Sequence, residues 1–488
     1  MILEQSPEYD FIPAGQEHII YTIYDTNTIT ANPPKHKIKY IAHIHIKNNG
    51  NNMSDVANRV AILKVTPNAV GRGVIDIAPV IRNYVSPDYT GGQVHTQGGA
   101  ASAYSNYKGT AHSETTPHSI HQVDKFSTNR KSVRYVRVKF FVESADTATG
   151  TVTQSGGYWG HKLIVFNGVL DDTDVLKMNT GSGDFGFQLD NHKFLPRTTD
   201  SKLLTNAPTK QYIQLNQYMT IPFLSQLSRA MTGFGNELGG SGTTHPAVKR
   251  VCYQYYYNGS TTGSQINQDL STGAGGHYGM INESATVLQF FGVGTANQVN
   301  AGNTLPANWD YYRLWLQNDQ GDRITQYYDF YFHDANCKGY ENIRLVWLNK
   351  WGTWDYYNFT MKNIRTLSTS RKSYQQVSGE WNSYKFNLNG HTGGMKNYYS
   401  AITERITLNT DNITEDEAIW LQELFVSNDV YILENDSAGD TGKGTIRKYV
   451  KPVRIVSEDF IKKTSANDGV MQYTFEIETN RTKKAQRI

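Results

Sequence analysis

The chain has 488 residues, of which 12% are aromatic and 19% are charged, and its formal net charge at pH 7 is +3. This balance of charges does not indicate nucleic-acid binding, and the aromatic content excludes a wholly disordered chain. The sequence has no run of about 18 apolar residues, so we predict no membrane span. The first residues do not resemble a secretory signal. Cys252 and Cys337 are expected to be buried thiols of a protein made in a reducing cytosol.

The length predicts more than one domain, because single domains typically have about 100–200 residues. We predict an N-terminal β domain over residues 1–170, with a long loop rich in Gly, Ser and His at 91–121. A middle β domain with Gly-rich insertions is predicted over 171–340. Residues 341–488 are predicted to form a C-terminal β unit with one helix near 414–427 and a final hairpin.

Runs of alternating strand formers, separated by turn residues, predict the strands of the N-terminal domain. The strongest run is Ile38–Ile46, and the others are Arg59–Val65, Ser132–Glu143 and Lys162–Asn167. A short helix is predicted at Asp76–Tyr84.

Histidines occur in two groups that could suggest a metal site. His43 and His45 lie two apart on the first strand and therefore share one face. A structural zinc site needs four ligands, and no third ligand follows at a known spacing. His112, His118 and His121 cluster in the long loop with few carboxylates nearby. We favour a half-exposed sheet face for the pair and an interface arm for the loop.

In the middle domain, Val251–Tyr257 is a predicted strand that ends at the turn Asn258-Gly259. Pro222–Leu238 predicts a short helix, because proline suits the first helical turn. Two oxygen-rich segments, Asp171–Asp174 and Asn318–Asp322, lack the spaced acidic ligands of a calcium loop. We interpret both segments as turns.

The segment Tyr340–Phe359 is the densest in aromatic residues and predicts two strands around a turn in which Gly352 takes a positive φ. The aromatic rings could form an exposed platform for sugar rings, or they could belong to a core or a subunit interface. We favour the core or interface because both faces of the hairpin are apolar. The predicted anchors are Trp347, Trp351, Trp354, Tyr356 and, further along the chain, Trp420.

The clearest helix is predicted at Asn412–Ser427, where Thr414 and Glu417 have capping-box spacing ahead of an apolar stripe. Val453–Lys463 and Val470–Thr479 predict a hairpin around Asn467-Asp468-Gly469.

The remaining C-terminal motifs are weaker. Gly439–Thr445 superficially resembles a phosphate loop, but Lys443 is followed by glycine and the next residues predict a strand. The basic tail Arg481–Arg487 is either a solvated end or a segment that docks on an acidic neighbour. No nucleophile elbow or metal-ligand spacing stands out. We therefore predict no catalytic, cofactor-binding or metal-binding residues, no cofactor and no enzymatic activity.

Three stretches of the sequence resemble structural proteins of tailed bacteriophages. The first is the hairpin pattern Arg344-Leu345-x-Trp347-Leu348-Asn349-x-x-Gly352-x-x-Asp355-Tyr356-x-Asn358-Phe359. The second is Leu63–Asn68 with Gly71–Ile77, and the third is Trp420–Tyr431 with the later Lys451–Val453. The resemblance implies a virion component of the tail, baseplate or connector region, and it brings no catalytic residues with it.

Together these observations predict a mainly β chain of two or three β-sandwich-like domains with a few short helices. The expected function is a non-enzymatic structural subunit, present in multiple copies in the virion and assembled in the host cytoplasm. Its expected partners are copies of itself and other virion proteins, with no membrane span and no specific nucleic acid. The alternative is a carbohydrate-binding or glycan-depolymerising tail spike component, for which a host glycan would be the partner.

Overall fold

A computed structural model of the chain describes most of its residues. The described residues are 1–7, 11–48, 56–87, 126–128, 132–170, 175–177, 185–187, 193–224, 248–269, 288–300, 303–318, 320–333, 339–388, 391, 393–433, 450–457, 471–479 and 483–484. Several of the sequence predictions fall outside them: Cys337, the loop at 91–121, the segments 171–174, 439–445 and 467–469, and most of the basic tail.

The protein is mainly β with several separate sheets and few helices, as predicted. The described helices are α1 (Thr26–Ile29), α2 (Ala78–Ile81), α3 (Thr295–Asn300) and α4 (Glu415–Val426), with a 3-10 turn at Val56–Asn58. The strands up to residue 170 are β1 (Ile2–Gln5), β2 (Phe11–Gly15), β3 (Ile20–Tyr24), β4 (His36–Lys47), β5 (Arg59–Val65), β6 (Arg72–Asp76), β7 (Phe126–Thr128), β8 (Val133–Ala145) and β9 (Thr153–Val169).

The later strands fall in two groups. Residues 171–340 contribute β10 (Val175–Lys177), β11 (Phe185–Phe187), β12 (Lys210–Ile213), β13 (Thr220–Leu224), β14 (Arg250–Tyr257), β15 (Ser260–Asp269), β16 (Leu288–Gly292), β17 (Tyr311–Gln317) and β18 (Tyr328–Phe332). Residues 341–488 contribute β19 (Ile343–Leu348), β20 (Trp354–Phe359), β21 (Ile364–Gln376), β22 (Glu380–Asn382), β23 (Lys385–Asn387), β24 (Gly394–Asn409), β25 (Val430–Leu433), β26 (Val450–Ile455), β27 (Thr474–Thr479) and β28 (Lys483–Lys484).

Contacts within the chain group into two compact units. The first unit contains residues 1–333, 348–355 and 437–443, and the second contains 334–347, 356–436 and 444–488. The segment 348–355, which includes the turn of the predicted aromatic hairpin, thus belongs to the first unit. The predicted division into three domains at residues 170 and 340 stays a prediction.

The N-terminal part of the first unit is built on a five-stranded sheet in the order β2-β9-β8-β4-β5 and a three-stranded sheet in the order β1-β3-β6. Strand β4 supplies Tyr40, Ala42, Ile44 and Ile46 to one hydrophobic core, because every second residue points to the same face. Strands β8 and β9 add further buried aliphatic and aromatic side chains to this core.

The rest of the first unit contains a five-stranded sheet in the order β12-β18-β17-β14-β15 and a three-stranded sheet in the order β13-β16-β7. Strands β14 and β15 form the predicted hairpin, with Tyr257 opposite Ser260 and the turn residues Asn258 and Gly259 both at positive φ. This geometry is the one that an Asn-Gly turn favours between antiparallel strands.

The second unit is dominated by one sheet in the order β20-β19-β25-β26-β27-β24-β21, with β28 also paired to β24. The residues of β19 and β20 next to their turn, 348 and 354–355, are grouped with the first unit. Helix α4 confirms the predicted helix at 412–427, and both hydrogen bonds of the capping box between Thr414 and Glu417 are present. Strands β26 and β27 pair antiparallel, as the predicted C-terminal hairpin requires.

The two other predicted helices have different outcomes. Helix α2 lies inside the segment Asp76–Tyr84 and confirms that prediction. The prediction that a helix begins at Pro222 is wrong, because Pro222 lies in strand β13, where every residue is buried. Among the described strands, β13 is at the edge of its sheet, a position that tolerates a residue without an N–H group. The rest of that segment, 225–238, lies outside the described residues.

Candidate assembly surface

The five predicted aromatic anchors are all buried, each with no more than 5% of its surface exposed. In the second unit, the rings of Trp347 and Trp420 pack with their centroids 5.1 Å apart. The guanidinium of Arg344 lies 5.2 Å from the ring centroid of Tyr356, close enough for a cation–π interaction. Both faces of strand β19 are buried, which agrees with the two-sided apolar pattern of the sequence.

The other two anchors, Trp351 and Trp354, belong to the first unit. The ring of Trp351 lies 5.2 Å from that of Phe194, and its indole Nε1 donates a hydrogen bond to Asn206. Gly352 has the predicted positive φ of 71°, and a Cβ at this position would lie 2.0 Å from the carbonyl oxygen of Asn167. The aromatic hairpin therefore offers no exposed platform.

The histidine pair on strand β4 packs against aromatic rings. His45 is buried with its ring 5.1 Å from Trp159, and His43 lies 4.7 Å from Phe141. Burial lowers the pKa of His43 below its ordinary value, and the nearby Arg59 lowers it further. Among the described residues, no group of three or more His, Cys, Asp or Glu side chains is arranged to hold a metal ion.

A row of tyrosines crosses four strands on one face of the β12–β15 sheet. Tyr256 is opposite Tyr311, which is opposite Tyr331, which is opposite Tyr212 on strand β12. The first two neighbouring pairs are stacked, with centroids 4.7 and 4.8 Å apart. The inner rings therefore cover one another, so the row strengthens the sheet through cross-strand contacts rather than presenting open ring faces.

Beside this row, Arg313 forms a two-pronged ion pair with Asp329 at 2.7 and 2.8 Å. The carboxylate raises the pKa of Arg313. Because the two charges neutralise each other on the sheet face, the Arg313 guanidinium is not free to bind a ligand.

Strands β21 and β24 form a long two-stranded ribbon, and it is the most exposed part of the described chain that carries large apolar side chains. All 13 residues of β21 are exposed, and they pair with β24 from Ile364 opposite Thr407 to Gln376 opposite Gly394. At its base, β24 also pairs with β27, and further out with β28 at Ala401 and Ile402. Among the described strands, only β21 borders β24 beyond that point.

Ion pairs hold the base of β21 and β24, near residues 365 and 405, to the rest of the sheet. Arg365 on β21 contacts Glu341 at 2.5 Å and Glu404 on β24 at 3.2 Å. Arg405 contacts Glu478 on strand β27 at 3.2 Å. The base is thus fixed by several charge-assisted contacts, while in the outer half the described strands that pair are β21 and β24 alone.

We use "the ribbon" for residues 368–402, which include the outer halves of β21 and β24 and the small sheet of β22 and β23. At its tip, Trp381 is opposite Phe386 with ring centroids 6.2 Å apart. Exposure is 73% for Trp381, 91% for Tyr384 and 81% for Leu388. Further exposed large side chains are Tyr374, Val377, Met395, Tyr398 and Tyr399.

The ribbon has the composition of a protein–protein contact. Trp, Tyr, Phe, Met and Arg are the residues enriched in interfaces, and a monomer rarely exposes such a concentration of them. The ribbon also carries four Lys or Arg residues and one Glu. An isolated two-stranded hairpin is at best marginally stable in water, so a partner surface would contribute to holding the ribbon in place.

The sequence predictions did not include the ribbon. Its strands are interrupted by Gly, Ser and Asn, and its aromatics are spread over 26 residues from Tyr374 to Tyr399 rather than concentrated as in the hairpin at 340–359. The sequence nevertheless contains a signal for exposed strands: polar residues alternate with aromatic residues on both sides of the turn. A buried strand would instead have a continuous apolar run.

No protein-family model matches the chain, and no curated protein matches it. None of the described helices is long and apolar enough to cross a membrane.

Proposed function

We propose that this chain is a non-enzymatic structural subunit of a tailed-phage particle, and that it assembles in multiple copies in the tail, baseplate or connector region. The observation that carries the assembly role is the ribbon, with its exposed Trp381 and Tyr384 and an outer half in which β21 and β24 are the only described strands that pair. Such a segment exposes apolar area that a neighbouring subunit would remove from water, at about 25 cal/mol per Å².

The assignment to a phage particle rests on the sequence resemblance. Its first stretch, Arg344–Phe359, is the one whose apolar side chains form buried contacts in both units. The third stretch, Trp420–Tyr431, contains most of helix α4, and Trp420 packs on Trp347 of the first stretch. The buried residues of these two stretches therefore maintain the fold, and the exposed ribbon, which lies outside all three stretches, provides one side of the proposed contacts with neighbours.

The glycan-binding alternative needs an exposed aromatic platform beside a pair of carboxylates. The hairpin does not form one, because Trp347, Trp351, Trp354 and Tyr356 are buried. The tyrosine row at Tyr256–Tyr311–Tyr331 has its inner rings stacked on one another. These observations favour the structural subunit over the spike component.

The test compares the full chain with a variant in which residues 371–400 are replaced by Asn-Gly. This turn joins Ser370 to Ala401, which are opposite each other in the ribbon, and Asn-Gly suits a two-residue hairpin loop. We expect the full chain to form a defined oligomer by analytical ultracentrifugation, and the shortened variant to stay monomeric while still unfolding cooperatively on heating, as followed by circular dichroism.

A second measurement addresses the particle itself. Mass spectrometry of purified phage particles should detect the chain in a stoichiometric number of copies. The proposal fails if the full chain is monomeric in solution and also absent from the particles.

A further inference from the structure

The described surface of the second unit carries a segment whose charge is opposite to that of the ribbon. Residues 411–433 contain six carboxylates and no Lys, Arg or His. Three of the six, Glu415, Asp416 and Glu417, lie in the first turn of α4, where negative charge is favourable beside the helix N-terminus. That preference does not account for the carboxylates further along the segment, nor for the apolar residues beside them.

The outward side of α4 combines these charges with exposed apolar side chains. Ile419 and Val426 are exposed there, while Trp420, Leu421 and Leu424 are buried on the opposite side. Positions 416, 419, 423 and 426 are separated by three or four residues and therefore form one stripe along the helix. We use "the acidic face" for Glu415, Asp416, Ile419, Glu423 and Val426.

One side of the ribbon has the complementary composition. Lys372 is opposite Tyr399, and Tyr374 is opposite Lys396, so these four residues share a side. The Lys372 ammonium lies 5.9 Å from the Tyr399 ring centroid, and the Tyr374 ring lies 6.2 Å from the ring of Tyr398 at the bulge. We use "the basic face" for Lys372, Tyr374, Lys396 and Tyr399.

We propose that the basic face of the ribbon in one copy of this chain docks on the acidic face of helix α4 in the next copy. The inference rests on the proposed function and names the partner of the ribbon. Opposite charges surround apolar side chains on both faces, so the contact would bury Tyr374 and Tyr399 against Ile419 and Val426 with their neighbouring charges paired.

The acidic face extends about 16 Å along α4, from Glu415 to Val426, and the basic face extends about 7 Å along β21, from Lys372 to Tyr374. The basic face would therefore cover part of the length of the helix.

The occupant is a second copy because one chain carries both faces, whose residues are exposed in it except for the half-buried Lys396 and Glu423. Each copy then uses its ribbon once and its helix once, which is a heterologous contact. Such contacts close into a ring when the rotation between copies closes, and this agrees with a subunit repeated around a tail axis.

The experiment uses charge reversal in the full chain. The ribbon variant carries Lys372→Glu and Lys396→Glu, and the helix variant carries Glu415→Lys and Asp416→Lys. Glu417 is left unchanged because its carboxylate caps the helix. A control with Lys39→Glu and Lys202→Glu changes the net charge as the ribbon variant does, at two exposed lysines of the first unit.

Each reversed variant alone should assemble about 10-fold more weakly or worse, because like charges then meet across the contact. An equimolar mixture of the two variants should assemble again, since the acidic ribbon of one meets the basic helix of the other. A chain with all four changes should also recover assembly. The control should assemble like the wild type in sedimentation-velocity runs.

The outcomes separate the inference from the proposed function. If the chain with residues 371–400 removed does not assemble, but the helix variant assembles normally, the ribbon docks elsewhere and the inference fails while the proposed function stands. If the reversed variants are folded by circular dichroism and their mixture does not recover assembly, the inference fails as well. If the wild type neither assembles nor occurs in particles, the proposed function fails.

Discussion

The carboxylate of Asp76 connects the segment before strand β3 with the start of helix α2. Its Oδ1 accepts hydrogen bonds from the backbone N–H groups of Ile19 and Ala78, both at 2.9 Å. Its Oδ2 lies 2.8 Å from Nδ1 of His18. The Ala78 N–H is one of the unpaired donors at the start of helix α2, so the carboxylate acts in part as a helix cap.

These contacts shift the pKa values of both Asp76 and His18. Burial opposes the negative charge of Asp76, but the hydrogen bonds from His18, Ile19 and Ala78 outweigh it and lower the pKa. The hydrogen bond to Asp76 raises the pKa of His18. Because the pKa of Asp76 is lower in the folded state than in the unfolded state, its ionised carboxylate stabilises the fold at pH values above the unfolded-state pKa of about 3.9. This stabilisation is lost as the pH falls through the folded-state pKa of Asp76.

The histidine behaves in the opposite way. Its raised pKa contributes stability that is fully present below the unfolded value of about 6.5 and is lost as the pH rises through the folded pKa of His18. The two contributions therefore overlap between about pH 4 and pH 6.5, where Asp76 and His18 are both charged.

We expect Asp76→Asn to lower the free energy of unfolding of the first unit by about 1–2 kcal/mol at pH 5–6, because a charged acceptor of three hydrogen bonds becomes neutral. The difference from the wild type should decrease from pH 6 to pH 8 as His18 loses its proton, and from pH 5 to pH 3 as Asp76 becomes protonated. Urea titrations at these pH values, followed by tryptophan fluorescence, measure it. Asp200→Asn, at an exposed carboxylate, is the control. A difference that does not vary with pH would contradict the assignment.

At the scale of elements, the turn that joins the ribbon strands to the tip depends on Gly393. This residue has a φ of 97°, and a Cβ there would lie 2.3 Å from Cα and 2.6 Å from the backbone nitrogen of Ser378. The next residue, Gly394, also has a positive φ, of 78°, but no atom lies within 4 Å of the corresponding Cβ position. A side chain at Gly394 would therefore cost only backbone strain, whereas a side chain at Gly393 would also clash with Ser378.

We expect Gly393→Ala to displace the tip and Gly394→Ala to cost only the strain of a positive φ, about 1–2 kcal/mol. Trypsin cleavage at Lys385 and Lys396 should therefore be faster in Gly393→Ala than in Gly394→Ala, with mass spectrometry identifying the sites. The melting temperature of the remaining fold should be the same in both variants, because the ribbon is an outer two-stranded segment. Equal cleavage rates would show that the contact with Ser378 does not hold the tip.

The elements that the sequence predicts well are those whose signals are local. Helix α4 is recognisable from Thr414 and Glu417, since both partners of the capping box lie within one turn. Asn258-Gly259 is equally local, because the two residues supply the positive φ angles of the hairpin turn. Strands β4 and β5 follow from alternation alone.

The features that the sequence does not predict depend on distant partners. Pro222 suits the first turn of a helix, and only the pairing of β13 with β16 makes it a strand residue. Exposure of the ribbon depends on which strands border β24, and these include β27 about 70 residues later. The two apolar faces of the aromatic hairpin predict that it is buried. The division of its residues between two units is not predictable in this way, because it depends on contacts with the distant Phe194 and Asn206.

At the scale of the whole molecule, the net charge of +3 conceals a separation of charge. The ribbon has three more cationic than acidic side chains, from four Lys or Arg and one Glu, while residues 411–433 carry six carboxylates. If the two faces meet as proposed, these opposite charges would raise the rate of encounter between copies and align them head to tail. A chain with the same composition but mixed charges would have the same net charge and no such preference.

Assembly should therefore change the stability of the ribbon and leave the cores unchanged. In a monomer, the amides of β21 and β24 outside the base should exchange with solvent rapidly, since a two-stranded segment opens at low free-energy cost. In the oligomer, we expect amides of Arg371–Gln376 and Met395–Ser400 to exchange at least about 10-fold more slowly. Hydrogen–deuterium exchange mass spectrometry of wild-type chain at dilute and assembling concentrations measures this, with peptides from β4 and β8 as the internal reference. Equal protection of the ribbon at both concentrations would mean that it is held by its own chain and does not need a neighbour.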